Sequence, residues 1–375
     1  MSTIHERPAS DPIAPAMRLR TRSRPWELPI LVWSMVLAAL SASTPAWGGS
    51  PLGIGVMGDS YSDEYEFYPP DRSRARNWVE ILARARGLNF GEFARASRGE
   101  PRNHGFAYNW AQSNAETADL IRNGQHNGLA RQVARGEVRV VVVFIGGNDF
   151  IHGLASQGRD HVADQILPRA IANLDLAVRT ILEASPTVQV FVATVPDIIE
   201  LPEFAARIRA GRLSTKVAGA FSDAISRYNW HIRQLPMVNR RIALVDLALA
   251  TQLAPRPDGD HVVVVGRRID WVHPANAMDH AFLADARHIG TLIQGMLANH
   301  VINALNARLD ARIKHLTLRE ILDQDPGASA IAWSGSNTLP DRIRIVLVPL
   351  GREFLGAGPG LGFRLSLLLQ LVEKG

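Results

Sequence analysis

The stretch VRVVVVFIGG, residues 138–147, constrains the fold more than any other. No polar residue interrupts it between Val140 and Ile145, most of it is β-branched, and two glycines stop it. A strand with one wet face alternates apolar and polar residues. A continuous apolar run of this length belongs to a strand covered on both faces, as in a parallel sheet. Three other short runs read the same way: LGIGVMG (52–58), VQVFVATVP (188–196) and RIALVDL (241–247). Between them lie stretches with apolar residues at helical spacing. These are 75–87, ending at Gly87; 162–184, with Pro168 as a start or kink; and 214–235, with Ser214 as its cap. A long amphipathic helix is expected over 289–309, and HVVVVGRRIDWV (261–272) reads as extended, a hairpin arm. Strand–helix alternation at this spacing predicts an α/β fold, a mostly parallel sheet with helices on both sides. In such sheets, sites form outside the carboxyl ends of the strands.

The N-terminus has a different pattern. MRLRTRSRPWE is basic, LPILVWSMVLAAL (28–40) is apolar and uncharged, and SASTPAWGG supplies small residues. That is the order of a secretory signal, and the apolar run is short for a membrane span of about 20 residues. Residues 1–48 are therefore expected to be an extension plus leader, with Met1 or Met17 as the start. Cleavage falls after Ser43, Ala46 or Gly48, and the alternative is an uncleaved N-terminal anchor. The expected location is secreted or periplasmic, with no stable span after cleavage. The folded domain is expected over 49–310, and 311–375 is a C-terminal extension. Within that extension LTLREILDQ (316–324) is a short helix, RIRIVLVPLG (342–351) an added strand, and LGFRLSLLLQLVEKG too short and charged to span a membrane.

Charge and cysteine content narrow the chemistry. Of the net charge of +5, five arginines against three acids in residues 1–27 account for +2. The remaining excess is small, and no basic block with interleaved aromatics follows, which argues against nucleic acid. With no cysteine, disulfides, thiolate zinc sites and a cysteine nucleophile are excluded. His273, His280 and His288 with Asp279 and Asp285 include no helical i, i+4 ligand pair, so neither a metal nor any other cofactor is expected.

GVMGDSYSDEY (55–65) follows the first apolar run. It is either a surface turn or a turn presenting a nucleophile. A serine hydroxyl needs a base held by a carboxylate, and the developing oxyanion needs donors. Ser60 and the Gly146-Gly147-Asn148-Asp149 stretch both sit past strand ends, on the same expected sheet edge. Tyr61, Glu64 and Tyr65 are candidates for the entrance, and the loops 61–75, 98–112 and 150–162 for specificity. The basic run 207–212 reads as a solvated face.

Gly58-Asp59-Ser60-Tyr61-Ser62-Asp63, Gly146-Gly147-Asn148-Asp149 and Asp285-Ala-Arg-His288, in that order, resemble the first, third and fifth blocks of the SGNH (GDSL-type) hydrolases. The resemblance covers roughly residues 51–308. Gly-x-Ser-x-Gly, the competing esterase motif, does not occur. The resemblance implies a three-layer α/β/α sandwich with a flavodoxin-like sheet, and Ser-His-Asp hydrolysis of a small-molecule or glycan ester. The substrate would be a lipid-type ester or an O-acetylated carbohydrate. It further implies Ser60 as nucleophile, His288 as base, Asp285 as its orienting carboxylate and Asp59 as a structural residue. The oxyanion donors would be Ser60, Asn148 and a second-block residue. That block ordinarily supplies a glycine; here YNWAQSNAET (108–117) places Asn114 there, and Gly105 is the alternative. The proline that usually follows the histidine is replaced by Ile289, whereas Asp270-Trp-Val-His273 is followed by Pro274. The 285/288 pair is favoured because the long helix follows it directly. The two departures also motivate a second reading, an exported glycan- or lipid-binding protein without catalysis.

Overall fold

The computed structural model describes residues 52–98, 104–156, 162–253, 260–264 and 266–328. The leader, the strand expected at 342–351 and the apolar tail at 361–375 lie outside the described residues. The valine-rich run forms β4 (Val140–Phe144), every residue of it buried. Around it, β1 (Ile54–Gly58), β5 (Gln189–Ala193) and β6 (Ile242–Val245) complete a sheet in the order β1-β4-β5-β6. All three pairings are parallel, with Val56 opposite Val142, Val142 opposite Phe191 and Phe191 opposite Ala243. Beyond β1 the edge is closed by single bridges, Gly53 to Asn89 and Val56 to Asn109. The two-residue strands β2 (Phe93–Ala94) and β3 (Gly105–Phe106) pair antiparallel. The expected hairpin is β7 (His261–Val264) with β8 (Arg267–Asp270).

The helices form two groups, which makes the fold a three-layer α/β/α sandwich. In one, α1 (Trp78–Arg86) packs on α9 (Thr291–Leu309), and α10 (Leu318–Leu322) packs on α9. In the other, α2 (Thr117–Arg122) and α3 (Gln125–Ala134) pack on α5 (Leu167–Ala184), which packs on α7 (Thr215–Val238). Helices α4 (Gly147–Ser156), α6 (Pro202–Arg209) and α8 (Leu247–Leu253) follow β4, β5 and β6.

Local chemistry sets the boundaries. Asn77 Oδ1 accepts the Glu80 N–H at 3.0 Å while Glu80 Oε2 accepts the Asn77 N–H at 2.8 Å, a reciprocal cap that starts α1. Ser214 Oγ accepts the Val217 N–H and starts α7. Pro168 stands in the first turn of α5. The helix α4 is the main surprise beside the sheet. The Gly-Gly stop is also a helix start, so Asn148 lies in a first helical turn rather than in a loop. Residues 311–328 belong to the packed structure: Asn299 on α9 holds Leu316 through both its amide atoms, and Arg86 on α1 binds Glu320.

Candidate active site

Strand β1 ends at Gly58 because no side chain fits there. A Cβ on Gly58 would approach the Phe144 carbonyl oxygen to 2.5 Å. The chain then turns sharply. The Asp59 carbonyl accepts the N–H groups of Ser62 and Asp63, each at 3.0 Å, and Asp59 Oδ1 accepts that of Tyr61 at 3.0 Å. Asn77 and Asn109 side chains donate to the carbonyls of Asp63 and Ser62, and Trp78 Nε1 donates to Ser62 Oγ. Ser60 leads out of this braced turn.

His288 reaches it from the loop before α9. Ser60 Oγ lies 2.8 Å from His288 Nε2, and His288 Nδ1 lies 2.5 Å from Asp285 Oδ2. Asp285 Oδ1 accepts the N–H groups of Arg287 and His288, which fixes the loop. Burial alone would raise the Asp285 carboxyl. Hydrogen bonds from the His288 ring and from two backbone N–H groups outweigh it and hold the carboxyl well below the usual range. The loop is further tied down by Tyr61 Oη, which donates to the Arg287 carbonyl, and by an Arg287–Glu203 ion pair reaching α6.

The rival pair is built alike but faces elsewhere. His273 Nδ1 lies 2.9 Å from Asp270 Oδ2, yet the His273 side chain is 66% exposed against 14% for His288. Among the described residues it has no serine partner.

The β4 end supplies the polar group opposite. Gly146 takes φ +118°, and a Cβ there would meet the Tyr228 ring at 2.6 Å. Asn148, buried, follows in α4 and donates one Nδ2 hydrogen to the Ala115 carbonyl at 3.1 Å, leaving the second available. Asp149 accepts from the Thr117 N–H and hydroxyl, and its burial pushes the carboxyl up to about 6. Asn114 sits in the same turn with φ +68°, the conformation that the glycine it replaces would adopt freely. Among the described residues neither the Ser60 nor the Asn114 backbone N–H has a protein acceptor. Gly105 stands elsewhere, in β3, where a Cβ would run into the Glu64 carboxylate.

Two entrance candidates are misplaced in the sequence reading. Glu64 is buried, with its Oε1 accepting the Phe106 N–H and burial raising it to about 8. Tyr65 is fully buried, its ring edge-on to His288. Only Tyr61 reaches the cleft beside Ser60. That cleft, of about 50 Å³, is lined by Ser60, Asn148 and Arg287 and walled by Phe144, Ile151, Val195, Ile198 and Leu201. The segment after β5 was not singled out from sequence, although it leaves the same sheet edge. Among the described residues no cluster of three or more histidines and acids could hold a metal. Asp59 borders the cleft, and its burial pushes the carboxyl up to about 7.

The arrangement can pass a proton from a serine hydroxyl to an imidazole whose other nitrogen is held by a carboxylate, with the Asn148 amide lining the same cleft. Residues 54–286 match the family model described as GDSL-like Lipase/Acylhydrolase. Among solved structures, the lipase Lip_vut3 from a goat rumen metagenome is 16% identical, with 69% of this chain and 99% of that one covered and a TM-score of 0.43. A family 3 carbohydrate esterase from Clostridium thermocellum is 14% identical over 70% and 100% of the two chains, TM-score 0.38. Phospholipase A1 from Streptomyces albidoflavus is 18% identical over 65% and 98%, TM-score 0.38. No curated protein matches the chain.

Proposed function

The chain belongs to the GDSL-like lipase/acylhydrolase family and is a carboxylic ester hydrolase, and from that premise we propose that it works by a Ser60–His288–Asp285 acyl-enzyme mechanism on short-chain esters. The observation that carries this is the unbroken chain of contacts, 2.8 Å from Ser60 to His288 and 2.5 Å from His288 to Asp285. As Ser60 Oγ bonds to the ester carbonyl carbon, His288 Nε2 takes the hydroxyl proton and the carbonyl electron pair moves onto oxygen. The Ser60 N–H, the Asn114 N–H and the second Asn148 Nδ2 hydrogen receive that oxyanion. Collapse breaks the ester C–O bond, and His288 returns the proton to the departing alcohol. Water then bonds to the acyl carbon as His288 Nε2 takes its proton, the Ser60 Oγ–acyl bond breaks to release the acid, and His288 returns the proton to Ser60 Oγ. Asp285 stays ionised throughout and fixes the tautomer that leaves Nε2 free to accept.

The cleft supports a short acyl group. An apolar cavity of about 150 Å³ takes the six carbons of benzene, so by the same ratio about 50 Å³ behind Ser60 holds about two carbons. Its walls, Ile151, Val195, Ile198 and Leu201, offer the acyl tail no hydrogen bond from their side chains. The alcohol faces the open side, and an O-acetylated carbohydrate or a small lipid-type ester fits there. We also infer export, from the basic–apolar–small order of residues 17–48, and a hydrolase domain that begins near residue 49.

The test is release of p-nitrophenol from acetate and butyrate esters by the wild type and by Ser60→Ala, with fluorophosphonate labelling of both. A stoichiometric adduct on Ser60 and loss of at least about 10³-fold in kcat for Ser60→Ala are expected. Equal rates in the two proteins would overturn the reading. N-terminal sequencing of the chain recovered outside the cytoplasm tests the export step.

A further inference from the structure

A second histidine stands at the far side of this site. His152 lies on α4 one turn after Asn148. Its Nδ1 lies 2.8 Å from Glu116 Oε1 and its Nε2 lies 3.0 Å from Asn114 Oδ1. The ring bridges the two side chains. Glu116 is itself fixed: its backbone N–H donates to Asp119 Oδ2 at 3.0 Å, and Arg169 of α5 lies 3.8 Å from its carboxylate.

The turn that His152 grips is tied to the site at two residues, Ser113 and Ala115. Ser113 donates through both its N–H and its hydroxyl to Asp63, each at 2.7 Å, and its Oγ accepts from Arg72. That arginine also donates to the Ser60 carbonyl at 3.4 Å. Ala115 accepts from Asn148. Between these two anchors, Asn114 holds φ +68°, a backbone disfavoured for an L side chain. Its side chain is exposed, so packing does not hold it there. A glycine adopts this conformation freely; asparagine adopts it at a higher cost than glycine and a lower one than most L residues, and the only side-chain bond it makes among the described residues is to His152.

We propose that His152 is a positioning residue that locks Asn114 in the left-handed conformation and so keeps its backbone N–H in the oxyanion hole. The protein thus uses an asparagine where a glycine would serve, and compensates with a Glu116–His152 clamp. The inference rests on the acyl-enzyme reading above, because it assigns Asn114 its donor role there.

Steady-state hydrolysis of p-nitrophenyl acetate by full-length variants tests it. Removing one oxyanion donor costs about 10²–10³-fold in kcat, so His152→Ala, which only loosens the donor, is expected to lower kcat about 10- to 100-fold with KM within about twofold. His152→Gln, which still donates to Asn114, is expected to recover most of that loss. In an Asn114→Gly background, adding His152→Ala is expected to change kcat less than about twofold, since glycine needs no clamp. Equal effects of His152→Ala with Asn114 and with Gly at position 114, or wild-type kcat in His152→Ala, would overturn the clamp. Either result, obtained while Ser60→Ala remains inactive, removes the clamp and leaves the acyl-enzyme reading standing; an active Ser60→Ala removes both.

Discussion

Asp59 offers a sharp physical test because it places an ionisable group inside the Ser60 turn. The ordinary carboxyl value is 3.8, and burial raises it to about 7 in the folded protein, against the pull of the Tyr61 N–H bond. Across that window the native state keeps a proton that the unfolded chain has released. The stability this group contributes is therefore full below pH 3.8 and is lost as pH rises through about 7. At about 1.4 kcal/mol per pH unit, the full loss is on the order of 4 kcal/mol, with roughly 3 kcal/mol of it falling between pH 4 and 7. Asp59→Asn keeps the acceptor for the Tyr61 N–H and removes the ionisation. Relative to wild type, the variant is expected to gain roughly 3 kcal/mol of stability on going from pH 4 to pH 7. Urea unfolding, followed by fluorescence of the buried Trp78 and Trp110 at pH 4, 5, 6 and 7, reads the difference directly. Glu80 is also raised, to about 7, and remains in both proteins, whereas Asp149 and Asp63 lie within Coulomb range of Asp59, so neutralising Asp59 eases their shifts as well and moves the variant in the same direction. Asp285 is lowered, so its contribution is present above pH 3.8 and lost only below it, outside this window. Parallel stability curves for variant and wild type would refute the reasoning.

Other perturbations separate the remaining roles. Asp285→Asn should lower kcat on the order of 10³- to 10⁴-fold by spoiling the His288 tautomer, while Asp270→Asn should leave kcat within about twofold; p-nitrophenyl acetate turnover decides between the pairs. Leu201→Ala opens the cleft wall, and the ratio of kcat/KM for butyrate over acetate esters should rise about tenfold, the worth of a methylene or two in an apolar pocket. Gly128→Ala puts a Cβ 2.0 Å from the Trp110 ring inside α3, so unfolding stability should fall by about 1–3 kcal/mol, measured by urea midpoint.

The fold was legible where one interaction dominates. The sheet could be read because its strands are short apolar runs, most plainly the fully buried, β-branched β4, and α9 because its apolar residues recur over five turns. Helix α4 was not, since Gly-Gly-Asn-Asp reads as a stop; its helical character comes from packing of Phe150, Ile151 and Leu154 against the core. The cleft wall at Val195, Ile198 and Leu201 was also hidden. That segment has no period, and a proline divides it; its role comes from leaving β5 on the edge where β1 and β4 end. Glu64 and Tyr65 looked like entrance residues because charge and aromaticity suggest surface. Burial against Phe106 and His288 depends on partners more than 40 residues away.

The two Asp-x-x-His segments show where local sequence stops deciding. In both, the aspartate accepts the backbone N–H groups two and three residues on, and in both its other oxygen holds Nδ1 of the histidine. The dyad is thus a property of four residues and forms wherever they occur in this conformation. What differs is the environment of Nε2. His280 donates to the His273 carbonyl, and the His273 ring faces solvent. His288 is enclosed by Tyr61 and Tyr65 and meets Ser60, 228 residues away in sequence, because α9 packs on α1 and brings its leading loop to the end of β1. The proline after His273 is therefore no guide to function. A base becomes useful through the nucleophile across from it, and in this chain that pairing is set by helix packing rather than by either motif.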